Sequence, residues 1–221
     1  MVLTHPSGIP EKIVKKVVAR RGRLHAFESI DPSKTALVVI DLDEATVGRD
    51  DTDTAQRVVS NVNAVAHALR SSGGVVAWVV SQSDVMSPHF SAILGDQVAT
   101  MYFKEALPGG PQSRLWPQLD RKDGDLFTTK SGASAFFPGR CDLHERLQPL
   151  AIDTLLIAGA VTNICCESSA RDATELDYRV IMISDALSGH AHGLHEATLA
   201  TFYRIFGDVR PSSEVIQLLS A

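Results

Sequence analysis

Ala36-Leu37-Val38-Val39-Ile40 (ALVVI) and Val75–Val80 (VVAWVV) are the stretches that decide the fold. Each is short, apolar on both faces and rich in β-branched residues. The first follows the turn signal Asp31-Pro32-Ser33 and the second follows Gly73-Gly74. Runs of this kind suit strands buried on both sides of a parallel sheet. Between them, Thr54–Arg70 places Val58, Val62, Val65, Ala66 and Leu69 on one helical stripe. A strand, a helix and a second strand in that order make a parallel βαβ unit.

The same alternation continues along the chain. Strands are expected at Leu126–Thr129, Leu155–Ala158 and Val180–Ser184, with a sixth at Glu214–Leu218. Helical patterns fill Leu143–Leu150, with Leu143, Leu147 and Leu150 on one side, then Ile164–Leu176 and Leu194–Phe206. The expectation is an α/β protein, a three-layer α/β/α Rossmann-like domain with about six mostly parallel strands. Residues 34–221 are taken as that domain and residues 1–33 as an N-terminal extension, which could lie across a neighbouring subunit. Ser83–Gly124 is long, irregular and Pro/Gly-rich, the character of a lid or pocket wall.

With 221 residues, 44% of them hydrophobic and 21% charged, the chain is of a size and composition to fold as one globular unit. A net charge of −5 argues against nucleic acid as a partner, although Glu11–Arg23 carries a cluster of Lys and Arg that reads as a solvated helix face. No apolar run is long enough to span a membrane, and Met1–Pro10 has no signal core. The three cysteines lack zinc spacing, so free thiols in a cytoplasmic protein are expected.

In an open parallel sheet, ligands bind beyond the carboxyl ends of the strands. Asp41 follows the first strand, Lys130 the third, and Gly159–Cys166 leads from the fourth into a helix. Each alone has an ordinary explanation: a turn carboxylate, a solvated amine, a small buried thiol. Together they deliver a carboxylate, an ammonium and a thiol to one edge. A helix N-terminus and a nearby Lys would both favour the thiolate, which alone is nucleophilic, and would make it label readily near neutral pH. The carboxylate could take the thiol proton and later give it to a departing amine.

The run Ile157–Ala173 (IAGAVTNICCESSARDA), with Val38-Val39-Ile40-Asp41, Lys130 before Ser134-Ala135-Phe136-Phe137, and Asp185-Ala186, resembles the isochorismatase-like cysteine hydrolase superfamily over about residues 34–210. That group includes N-carbamoylsarcosine and ureidoacrylate amidohydrolases. The resemblance implies Cys165 as nucleophile, Asp41 as general base and acid, and Lys130 as third catalytic member. It also implies a non-proline cis peptide at Ala160–Val161 and an oxyanion hole from the Val161 and Cys165 N–H groups. Phe137 and Thr162 are taken as substrate-facing, and Cys166 as packing. The implied activity is cleavage of a C–N bond in a small amide, ureido or carbamoyl substrate through a thioester. The alternatives are an isochorismatase-type vinyl ether hydrolase and a non-catalytic binding module. No cofactor is implied, and relatives of this kind form homo-oligomers, dimers or tetramers.

Two departures stand out. The usual D-x-Q-x-x-F start reads Asp41-Leu42-Asp43-Glu44-Ala45-Thr46, and Pro138-Gly139-Arg140-Cys141 lengthens the stretch before Asp142. Gly48–Thr54 has acids but no His, so no metal is expected and nicotinamidase chemistry is disfavoured. His190, His192 and His195 read as rim residues, one of which could touch substrate, rather than as metal ligands.

Overall fold

The structure, a computed structural model, describes residues 5–47, 52–82, 88–97, 99, 111–189 and 191–220. Six strands form one sheet: β1 (Thr35–Ile40), β2 (Val75–Ser81), β3 (Leu126–Lys130), β4 (Thr154–Ala160), β5 (Arg179–Ser188) and β6 (Asp208–Arg210). Their spatial order is β3-β2-β1-β4-β5-β6, and every pairing is parallel. Every residue of β1 and β4 is buried, as their unbroken apolar runs require.

The helices are α1 (Glu11–Arg21), α2 (Glu44–Val47), α3 (Thr52–Ser71), α4 (Pro88–Leu94), α5 (Leu143–Leu147), α6 (Glu167–Glu175), α7 (His192–Ile205) and α8 (Ser212–Leu219). Alternation along each strand sends side chains to two core layers. Leu37, Val39, Trp78 and Val80 face α3, whose Val58, Val62, Val65 and Leu69 form the expected stripe, together with Val215 and Leu219 of α8. Val38, Ile40, Val79, Leu155 and Ile157 face the other layer, built from α1, α5, α6 and α7 through residues such as Val14, Leu143, Ala170 and Phe202. None of the described helices is long and apolar enough to cross a membrane.

Two expectations are corrected. The sixth strand is not Glu214–Leu218 but Asp208–Arg210, and the later segment is α8. Val215 and Leu219 are buried four residues apart, which is helical spacing, and the helix begins directly after Pro211, where the Ser212 N–H donates to Asp185 Oδ1. Leu150 does not share the buried side of Leu143 and Leu147, because the chain tightens into a 3₁₀ turn at Gln148–Leu150 and exposes it. The extension before residue 34 packs on its own chain: Ile9, Val14 and Val17 join the core, His25 Nδ1 lies 3.1 Å from Asp208 Oδ1, and Tyr203 donates to the Leu24 carbonyl.

Candidate active site

Strand order alone brings the site together. The chain reverses its direction of sheet building between β1 and β4, the switch point at whose carboxyl ends open parallel sheets bind ligands. Asp41 stands at the end of β1 on one side of that point. The turn that carries Cys165 leaves β4 on the other. Lys130 ends β3, two strands from β1, so its long side chain must reach across the end of β2.

It does so while fully buried. Lys130 Nζ lies 2.7 Å from Asp41 Oδ2 and donates to Cys165 Sγ at 3.4 Å, Ser81 Oγ at 2.8 Å and the Gly132 carbonyl at 3.1 Å. The structure therefore brings Asp41 and Cys165 each into contact with Lys130.

Asp41 is held by its backbone as well. Its φ of 49° lies in the left-handed region, which Asp tolerates better than most residues, and its N–H donates to Val79 O at 2.8 Å. The two residues that break the usual start, Asp43 and Thr46, answer each other here. Asp43 Oδ1 accepts from the Thr46 N–H, Thr46 Oγ1 accepts from the Asp43 N–H, and the Thr46 hydroxyl donates to the Asp41 carbonyl. This reciprocal cap starts α2 and fixes the turn that carries Asp41.

Close approach of β4 to β1 depends on Gly159. Its φ is +123°, and a Cβ there would sit 2.1 Å from the Ile40 carbonyl oxygen. The Ala160–Val161 peptide that follows is cis. Cys165 then stands in a π-helical turn, Thr162–Cys166, that precedes α6. Cys165 is half-buried and Cys166 fully buried in the core, and with Cys141 all are free thiols. Ser169 ties the two loops of the site: it donates to the Cys165 carbonyl at 2.7 Å and accepts from the Ala135 N–H at 2.9 Å.

The electrostatics weigh against the expected thiolate. Burial, and then Asp41, push the Cys165 thiol up to about 12, and Lys130 offsets only part of this, a direction that favours the protonated sulfur at rest. The π-turn places Cys165 ahead of α6, so the helix terminus does not outweigh desolvation and a facing carboxylate. Burial lowers the proton affinity of Lys130, but Asp41 and Cys165 raise it further and hold the ammonium above the ordinary lysine range.

Of the residues taken as substrate-facing, Phe137 is exposed while Phe136 is buried against Tyr178. Thr162 is buried, and its hydroxyl donates to Ser188 O at 2.8 Å and meets His195 Nδ1 at 2.9 Å. Its polar atom is thus engaged by the protein. The hydroxyl has one hydrogen, so His195 Nδ1 must be the donor to it, and Nε2 is left as an acceptor. His192 pairs with Glu196 on the surface, and His190 lies outside the described residues, as do residues 83–87, 98 and 100–110 of the irregular segment. Among the described residues no three His, Cys, Asp or Glu cluster as metal ligands.

Sequence reasoning missed Ser81 and Ser169. Ser81 ends β2 in register with Lys130, and a strand-end hydroxyl is the one signal that could have marked it.

The isochorismatase domain family matches residues 35–214. An uncharacterised isochorismatase family protein of Bacillus subtilis, YwoC, is 33% identical over 194 residues, covering 86% of this chain and 96% of the relative. Ureidoacrylate amidohydrolase RutB of Klebsiella pneumoniae is 27% identical, covering 80% of this chain and 82% of the relative. The crystal structure of a cysteine hydrolase from Pseudomonas syringae superposes with a TM-score of 0.75 at 22% identity, covering 90% and 98% of the two chains.

Proposed function

The chain belongs to the isochorismatase domain family, and we propose that it is a cysteine-dependent amidohydrolase acting on a small amide, ureido or carbamoyl compound. The observation that carries this reading is the buried contact of Asp41, Lys130 and Cys165 at the sheet's switch point. Similarity to a ureidoacrylate amidohydrolase supports the C–N bond as the one cleaved.

Because the resting sulfur keeps its proton, attack and proton transfer run together. Cys165 Sγ bonds to the substrate carbonyl carbon as Asp41 accepts the thiol proton. Lys130, ion-paired with Asp41, stabilises the sulfur while negative charge develops on it. The carbonyl oxygen takes up the electron pair, with the Val161 and Cys165 N–H groups as its donors. Protonated Asp41 then gives its proton to the leaving nitrogen, the C–N bond breaks, and a thioester to Cys165 remains. Water, deprotonated by Asp41, attacks the thioester, and the acid leaves as the sulfur regains its proton. Phe137, exposed on the loop after Lys130, supplies an apolar contact at the mouth.

A panel of small amides, ureas and carbamoyl amino acids, assayed for released ammonia or amine, tests this. Turnover on a panel member that disappears in Cys165→Ala is the expected result. Turnover near the wild-type rate in that variant refutes the reading.

A further inference from the structure

We propose that Ser81 is a positioning residue of the catalytic group, a hydroxyl that sets how firmly Asp41 holds its charge and so how readily it takes the Cys165 proton. This rests on the amidohydrolase reading given above.

The geometry is a closed ring. Lys130 Nζ donates to Ser81 Oγ at 2.8 Å, Ser81 Oγ donates to Asp41 Oδ1 at 2.9 Å, and Asp41 Oδ2 returns to Lys130 Nζ at 2.7 Å. The sheet imposes it. β2 lies between β3 and β1, Ser81 is the register partner of Lys130, and the ammonium must pass it to reach Asp41. A side chain without a polar atom at this point would take from the buried Asp41 Oδ1 the donor it has here, an arrangement proteins avoid.

Serine suits the place because a hydroxyl both donates and accepts. While Asp41 is ionised, the Ser81 hydrogen points at Oδ1 and stabilises the charge. Once Asp41 has taken the thiol proton, Ser81 still accepts from Lys130 and has a second lone pair for a protonated carboxyl. Among the described residues, the titratable groups that face Asp41 include Lys130 from β3 and the Cys165 thiol from the π-turn, with Cys166 behind Cys165 and Cys141 near Lys130.

Removing the hydroxyl has two consequences of opposite sign. An Asp41 less stabilised as an anion competes better for the Cys165 proton, so sulfur alkylation at neutral pH speeds up. The same carboxyl is a poorer acid toward the leaving nitrogen and is less well aimed, so turnover slows.

The test compares Ser81→Ala and Ser81→Thr with the full-length wild type. Iodoacetamide labelling of the Cys165 peptide is followed by mass spectrometry, kcat and KM are measured on whichever panel compound the wild type turns over, and thermal melts establish folding. Ser81→Ala is expected to label several-fold faster and to lose about tenfold to a hundredfold in kcat, the worth of a hydrogen bond to a charged group, with KM little changed. Ser81→Thr is expected to restore both. Labelling and turnover that fall together, that both stay unchanged, or that Thr fails to restore overturn the proposal. Should the wild type turn over nothing in the panel, the functional reading fails separately, and the labelling arm still decides the role of Ser81.

Discussion

Replacing Lys130 by Met separates the two ways in which this site is held. Met keeps most of the side-chain volume and removes the charge. Lys130 is 1% exposed and Asp41 3% exposed, so the change strands a carboxylate in the interior with Ser81 still donating to it. Taking one partner from a buried pair typically costs about 3–5 kcal/mol, because the desolvation of the other charge is no longer compensated. That loss is expected in Lys130→Met at pH 7, read as a lower urea midpoint at unchanged slope. The sign with pH follows from the direction of the lysine shift. A lysine held above its ordinary range contributes stability at neutral pH that is lost only as pH rises through that elevated value. Adding Asp41→Asn to the variant removes the stranded charge, and Asn tolerates the left-handed φ of 49°. The double variant is expected to recover at least half of the loss. A single-variant loss below about 1 kcal/mol, the range of solvated surface pairs, or no recovery in the double variant, refutes a desolvated pair.

Three further outcomes are expected. Cys165 alkylation in the wild type should climb steadily from pH 6 past pH 9, because a thiol pushed up to about 12 is roughly a thousandfold poorer in thiolate at pH 7 than free cysteine; a plateau below pH 8 would show the sulfur to be anionic at rest. Gly159→Ala should cost about 3 kcal/mol or more and lower the melting temperature by about 6–12 °C, since its Cβ meets the Ile40 carbonyl at 2.1 Å on a backbone at φ +123°; a melt within a degree of wild type contradicts this. Asp208→Asn should loosen the N-terminal extension and speed tryptic cleavage at Arg20–Arg23. Burial raises Asp208, but His25 and Arg210 more than offset it and hold it below the carboxylate range, so its contribution stands at neutral pH and disappears as pH falls through that depressed value; cleavage no faster than wild type would show the extension to be anchored elsewhere.

How much of the fold was legible follows from periodicity. β1, β2, β4 and β5 are continuous apolar runs, and α3 carries a five-residue stripe, so pattern and burial agree there. The end of the chain misled because Glu214–Leu218 is short and mixed, and runs of that length carry too few periods to separate a spacing of two from one of four. Val215 and Leu219 settle it only once they are seen facing α3 together. The extension was underestimated for a related reason. Val14 and Val17 are apolar positions in a highly charged helix, and charge dominated the reading of a segment whose narrow buried face was enough to dock it.

The site divides along the same line. Asp41, Lys130 and Cys165 could be found because each follows a strand, and strand ends in a parallel sheet converge whatever the loops do. The protonation state of the sulfur could not, because it depends on how much water reaches it and on which side chain faces it, and neither is a property of spacing. A positive charge and a helix terminus argue for a thiolate in any sequence that has them; desolvation and an adjacent carboxylate argue against it only after folding. That difference alters the chemistry. A site with a standing thiolate is reactive toward any electrophile that enters it. One that keeps its proton until a carbonyl is in place spends its basicity, through Asp41, only as the bond forms. In the proposed mechanism Lys130 and Ser81 hold the two oxygens of Asp41 and so aim it as the base toward a sulfur that still carries its proton. On this view the ammonium serves the carboxylate first and the sulfur second, an order that its 2.7 Å contact with one and 3.4 Å contact with the other supports.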